Sequence, residues 1–69
     1  MTIAECKANI PLNVKVKIDR TNLILNANVV GRKNDFASVM FENNGCLVTK
    51  EFSWAAISRC MTIGTCLIV

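Results

Sequence analysis

A small, mainly β domain, with a short N-terminal helix followed by a five-stranded, strongly bent barrel, is the fold this sequence predicts. Three observations carry it. Leu12-Asn13-Val14-Lys15-Val16-Lys17-Ile18 alternates cleanly, with Leu12, Val14, Val16 and Ile18 on one face and Asn13, Lys15 and Lys17 on the other. Leu23 to Glu42 forms two apolar arms around a polar break, Gly31-Arg32-Lys33-Asn34-Asp35, as a hairpin requires. Asn43-Asn44-Gly45 supplies a second turn, Asn-Gly being the strongest short hairpin signal.

The elements follow in order. Residues 1–9 are compatible with a short helix, which Thr2 caps and Glu5 completes as a capping box before Pro11 ends it. Leu12 to Ile18 is the first strand, and Asp19-Arg20-Thr21-Asn22 is a turn by composition. In the central hairpin Leu23, Leu25, Ala27 and Val29 share one face, while Asn26 and Asn28 point the other way. Cys46 to Phe52 is the fourth strand, with Cys46, Val48, Lys50 and Phe52 on one side. Ser53-Trp54-Ala55-Ala56 suits one tight helical turn, and Ile57 to Thr62 is expected as the fifth strand. Gly64 then marks a bend before Thr65 to Val69. The whole is one domain over 1–69, with a barrel over 12–62 and an apolar strand extension over 63–69.

Size and composition set limits. Sixty-nine residues bury only a modest share of their unfolded surface, yet 52% of them are hydrophobic. The surplus gathers after Arg59, where no charge remains, and an apolar edge of that kind predicts self-association through edge strands. Eight Lys and Arg against five Asp and Glu give +3, which permits an anionic partner without demanding one. No apolar run approaches the roughly 18 residues of a membrane helix. The start lacks the order of a signal peptide, so a cytoplasmic location is expected.

Catalysis is poorly provided for. The chain has no histidine and no tyrosine, so a thiol nucleophile would find no imidazole base. There is no Cys-x-x-Cys pair and no glycine-rich phosphate loop, hence no metal or cofactor is expected. Cys6, Cys46, Cys60 and Cys66 read as buried, reduced thiols. Cys60 and Cys66 are too far apart for direct pairing along a straight strand. Phe36, Phe41 and Phe52 read as core.

The better-supported chemistry is binding. Arg32 and Lys33 on the hairpin tip, flanked by Asn34 and Asp35, can reach phosphates, and Lys15 and Lys17 face outward from the first strand. Ordinary solvation explains the same four cations. Trp54, the one tryptophan, either stacks on a base or plugs the end of the barrel.

The order of elements resembles the Sm-like fold shared by Sm, LSm and Hfq proteins. Ile10-Pro11-Leu12-Asn13-Val14 resembles the start of the first Hfq strand. Asn34-Asp35-Phe36 is similar to the Asp-x-Phe of the first Sm motif, and Ala56-Ile57-Ser58 to the Ala-Ile-Ser of the second Hfq motif. The resemblance implies a homo-oligomeric ring that binds single-stranded RNA, with Arg32, Lys33, Asn34, Asp35 and Trp54 as candidate contacts. Departures are clear: Asn34 stands where the family has aspartate, Asp35 where Hfq has a base-contacting glutamine, and Trp54 and Ala55 replace its lysine and uridine-site histidine. A second resemblance, to the Rho-binding antiterminator (Rof) family on the same fold, rests on Cys6, Gly31-Arg32-Lys33-Asn34, Ile57-Ser58 and Ile63-Gly64-Thr65. It implies a regulator of transcription termination that docks on a protein partner. A structural subunit with no RNA role is the third reading.

Overall fold

In the computed structural model, which describes all residues from Met1 to Val69, seven elements follow in order. They are α1 (Ile3–Ala8), β1 (Leu12–Lys17), β2 (Ile24–Lys33), β3 (Phe36–Asn43), β4 (Cys46–Ser53), α2 (Trp54–Ile63) and β5 (Leu67–Ile68). The strands form one sheet in the order β4-β3-β2-β1-β5, strongly curled into a half-barrel. β1 to β4 are an antiparallel meander, and β5 adds in parallel to the free side of β1.

Short-range chemistry explains most of the boundaries. The Thr2 hydroxyl accepts from the Glu5 backbone N–H at 3.1 Å, and the Glu5 carboxylate accepts from that of Thr2 at 3.0 Å. These reciprocal bonds satisfy donors that the start of any helix leaves free. The Thr2 bonds hold the Glu5 carboxyl below its ordinary range. The Ile10–Pro11 peptide bond is cis. Between β3 and β4, Asn44 (φ 54°) and Gly45 (φ 79°) both occupy the left-handed region. That pair of positive angles matches the twist of the strands it joins.

Alternation along the strands fills the core. Val14 and Val16 from β1, Ala27 and Val29 from β2, and Ala37, Val39 and Phe41 from β3 are buried on the inner face. Cys6 from α1 and Trp54, Ile57 and Cys60 from α2 close over them, with Leu67 from β5. Leu12 and Ile18 lie half-buried at the ends of the β1 stripe, and Leu25 packs beside Ala27 and Val29, while Leu23 is exposed.

Four expectations change. Ile57 to Thr62 is not a strand: the whole of Trp54–Ile63 is one α-helix, and the fifth strand is Leu67–Ile68. The helix forms because Trp54, Ile57 and Cys60 recur at a helical spacing that buries all three on one side. Ser53 caps its start, its hydroxyl accepting from the Ala56 N–H at 3.2 Å. Gly64, at φ 71° and ψ 30°, ends it. The 63–69 segment is accordingly not a free apolar strand: Ile63 ends α2, Leu67 is buried against β1, and Ile63 and Ile68 remain exposed. Phe36 is 44% exposed rather than core, because it lies on the outer side of β3, one residue from buried Ala37. Cys46 is exposed at the start of the edge strand β4, whereas Cys6 and Cys60 are buried and Cys66 half-buried; all four are free thiols. No helix is long and apolar enough to cross a membrane.

Candidate nucleic-acid interface

The β2–β3 hairpin turns on two residues, Asn34 and Asp35, since Lys33 and Phe36 already pair across the strands. Asn34 takes φ 54°, a conformation asparagine tolerates better than most residues. The polar break is therefore mostly strand. Gly31, Arg32 and Lys33 continue β2, and a bulge at Val30 separates them from the regular ladder. The bulge resets the alternation. Before it, Ala27 and Val29 face inward; after it, Arg32 pairs with buried Ala37 and so takes the inner side, while Gly31 and Lys33 take the outer one.

Electrostatics differ between the two cations. Lys33 Nζ lies 3.7 Å from Glu51 Oε1 on β4, across the intervening strand, with both side chains well exposed. Such a pair contributes little to stability and yields readily to a competing anion. Arg32 is exposed and has no carboxylate in ion-pair range. Asn34 and Asp35 are exposed at the turn.

Trp54 does not join them at the surface. It is 5% exposed, packed in the core at the start of α2, with the Lys7 ammonium 5.7 Å from the ring centroid. Its ring has no face free for a base, so the stacking role expected of it is withdrawn; the large apolar ring is held where burial gains most. Phe36 is the aromatic residue that is available. It pairs in register with Lys33 and is nearly half exposed on the same outer face. Its signal was present in the sequence as odd parity with Ala37 and Val39.

Further along that face runs a polar strip that the tip residues alone do not reveal. Asn13 pairs with Asn28, Lys15 with Asn26, and Lys17 with Ile24. The Lys15 ammonium donates to the Asn26 side-chain oxygen at 3.0 Å, and the Asn13 amide donates to the Ala27 carbonyl at 3.2 Å. Lys33, Phe36, Asn28, Asn26 and Lys15 thus share one outward surface, while exposed Arg32 lies on the other side of β2.

The one cleft in the molecule lies elsewhere. About 220 Å³ in volume, it separates Asn13–Lys15 of β1 from Cys60, Met61, Gly64 and Thr65 at the end of α2. Burial pushes the Cys60 thiol above its ordinary value of 9.0, the Lys15 backbone N–H draws it down, and the neighbouring Cys66 adds to the rise. The folded chain therefore holds this proton more tightly than the unfolded chain does. Its contribution to stability is complete below the unfolded value and is lost as pH rises through the higher folded one. Urea titrations across about pH 8 to 10 should accordingly show a shallower alkaline loss of stability in Cys60→Ser than in the unsubstituted chain.

No protein-family model matches this chain, and neither does any curated protein or solved structure.

Proposed function

We propose that this protein is a small nucleic-acid-binding module of the Sm-like type, which holds single-stranded RNA on the β2–β3 end of its sheet and associates with copies of itself through edge strands. The observation that carries the reading is the pairing of exposed Phe36 with Lys33 on the outer face, which Asn28, Asn26 and Lys15 extend. A flat ring flanked by cations is what a single strand uses: a base stacks on the ring and its phosphates meet the charges. The asparagine side chains nearby present both donors and acceptors, in the manner of base edges. Asn34 and Asp35 shape the turn that presents these groups.

Oligonucleotide titrations at several salt concentrations test this reading. Lys15→Ala with Lys33→Ala should weaken binding to a uridine- or adenosine-rich strand and flatten the dependence of log K on log salt by about 1.4, roughly 0.7 for each lost phosphate contact. Phe36→Ala should weaken binding by about 1–3 kcal/mol and leave the salt slope unchanged. Affinity indifferent to all three substitutions would end the RNA reading.

A second reading draws on a specific feature of the sheet. β4 is an eight-residue edge strand with one unpaired side, and its Leu47 is 71% exposed. An open edge of that length accepts a strand from another chain. Where the partner is a copy of this chain, the edge supports a ring; where it is another protein, it supports a docking regulator like the Rho-binding antiterminator. Light scattering behind a sizing column separates the two, since the ring reading requires an oligomer and the regulator reading a monomer.

A further inference from the structure

Two thiols that an extended chain would hold apart meet at the end of α2. The helix stops at Ile63, and Gly64, in the left-handed region, donates its N–H to the Cys60 carbonyl at 3.0 Å, which reverses the chain. Thr65 then returns over the last turn, and the Cys60 thiol donates to its carbonyl oxygen at 2.6 Å. Standard covalent geometry places the next Cα about 2.8 Å from that oxygen, so the Cys60 sulfur lies within about 5.5 Å of Cys66 Cα. That separation is within reach of a disulfide after a rotamer change. Cys6 is the buried residue of α1, and Cys46 is paired with Asn43 at the far end of β4, away from this turn.

We propose that Cys60 and Cys66 are a preformed dithiol pair, which a low-molecular-weight disulfide converts to an intramolecular disulfide that fastens β5 to the end of α2. Half-buried Cys66 is the more accessible of the two and reacts first. Its thiolate attacks one sulfur of the small disulfide, forming a mixed disulfide and releasing one small thiolate. Cys60 then loses its proton to solvent. It attacks the Cys66 sulfur and releases the second small thiolate. Two electrons pass from the pair to the oxidant, and two small thiols are the products. The bond forms on the wall of the cleft that Cys60 and Thr65 line.

The test uses the full chain and oxidised glutathione. Arg59 precedes Cys60 and no basic residue follows, so trypsin releases Cys60–Val69 as one peptide carrying both thiols. After acid quenching, alkylation in denaturant and digestion, the folded chain should yield this peptide unalkylated and two hydrogens lighter than its dithiol form. It should do so about tenfold faster than the chain unfolded in urea, because the fold raises the effective concentration of one sulfur near the other. Glutathione retained on Cys66, oxidation at Cys46 with the peptide still a dithiol, or equal rates in the folded and unfolded chain would each overturn the proposal. Cys66→Ser should leave Cys60 unoxidised; should that variant fail to fold, the comparison with urea on the unsubstituted chain decides alone.

Discussion

Trp54→Ala should leave much of the chain unfolded at room temperature. The ring is buried at the junction of β4 and α2, and removing a buried tryptophan costs about 3–5 kcal/mol in lost transfer energy and cavity. A domain of this length has roughly 3–10 kcal/mol in total. Far-ultraviolet circular dichroism should therefore show a urea midpoint moved to low denaturant or lost, with Trp54→Phe falling between. Since Trp54 is the one tryptophan, the unsubstituted chain gives an independent reading: its emission should be blue-shifted and move to the red on unfolding. A stability unchanged by the alanine substitution would place the ring at the surface and return it to the binding face.

The second large effect tests the helix that the chain adopts in place of a strand. Arg59 is exposed within α2 and makes no ion pair, so its replacement disturbs no packing. Proline there removes the N–H that bonds back to Ala55 and drives its ring into that carbonyl, at a cost of about 3 kcal/mol or more. Arg59→Ala keeps the backbone bond and should change stability by less than about 0.5 kcal/mol. Thermal melts of the two variants should therefore diverge widely. Equal melting temperatures would mean that the segment is not helical in solution.

Those two residues also mark where sequence reasoning succeeded and where it stopped. The meander was legible because each strand from β1 to β3 sorts its side chains by parity, and because Asn44-Gly45 admits few other conformations. The capping box of α1 was legible for the same reason: its bonds are local. α2 was not. Ile57, Thr62 and Ile63 are β-branched and read as strand, whereas burial of Trp54, Ile57 and Cys60 on one side of the helix decides the matter through contacts distant in sequence. Ser53 before the segment and Gly64 after it are the available helix signals, but Ser53-Trp54-Ala55-Ala56 suits a single helical turn and Gly64 a bend, so neither carries a helix through Ile57 to Thr62.

The candidate site divides similarly. Arg32 and Lys33 stood out by charge and are indeed on the hairpin. The consequence of the Val30 bulge, which turns Arg32 to the inner side and Lys33 to the outer one, depends on pairing with β3 and is invisible in β2 alone. Trp54 was singled out by rarity, but rarity carries no information on burial. Phe36 was assigned to the core by residue type, although its parity with Ala37 placed it outside.

The parallel pairing of β5 with β1 has a consequence for the order in which the molecule assembles. β1 to β4 meet their neighbours across short turns, so each pairing closes a small loop and can form early. Val16 and Leu67 come from opposite ends of the chain, and their strand adds only two residue pairs, the Val69 N–H to the Lys17 carbonyl at 3.0 Å, and the Asp19 N–H to the Val69 carbonyl at 2.8 Å. Late closure of this long loop for so few bonds makes β5 the last piece to dock and the first to fray. The C-terminal strand is thus the latch of the domain, set on a meander built from local pairings.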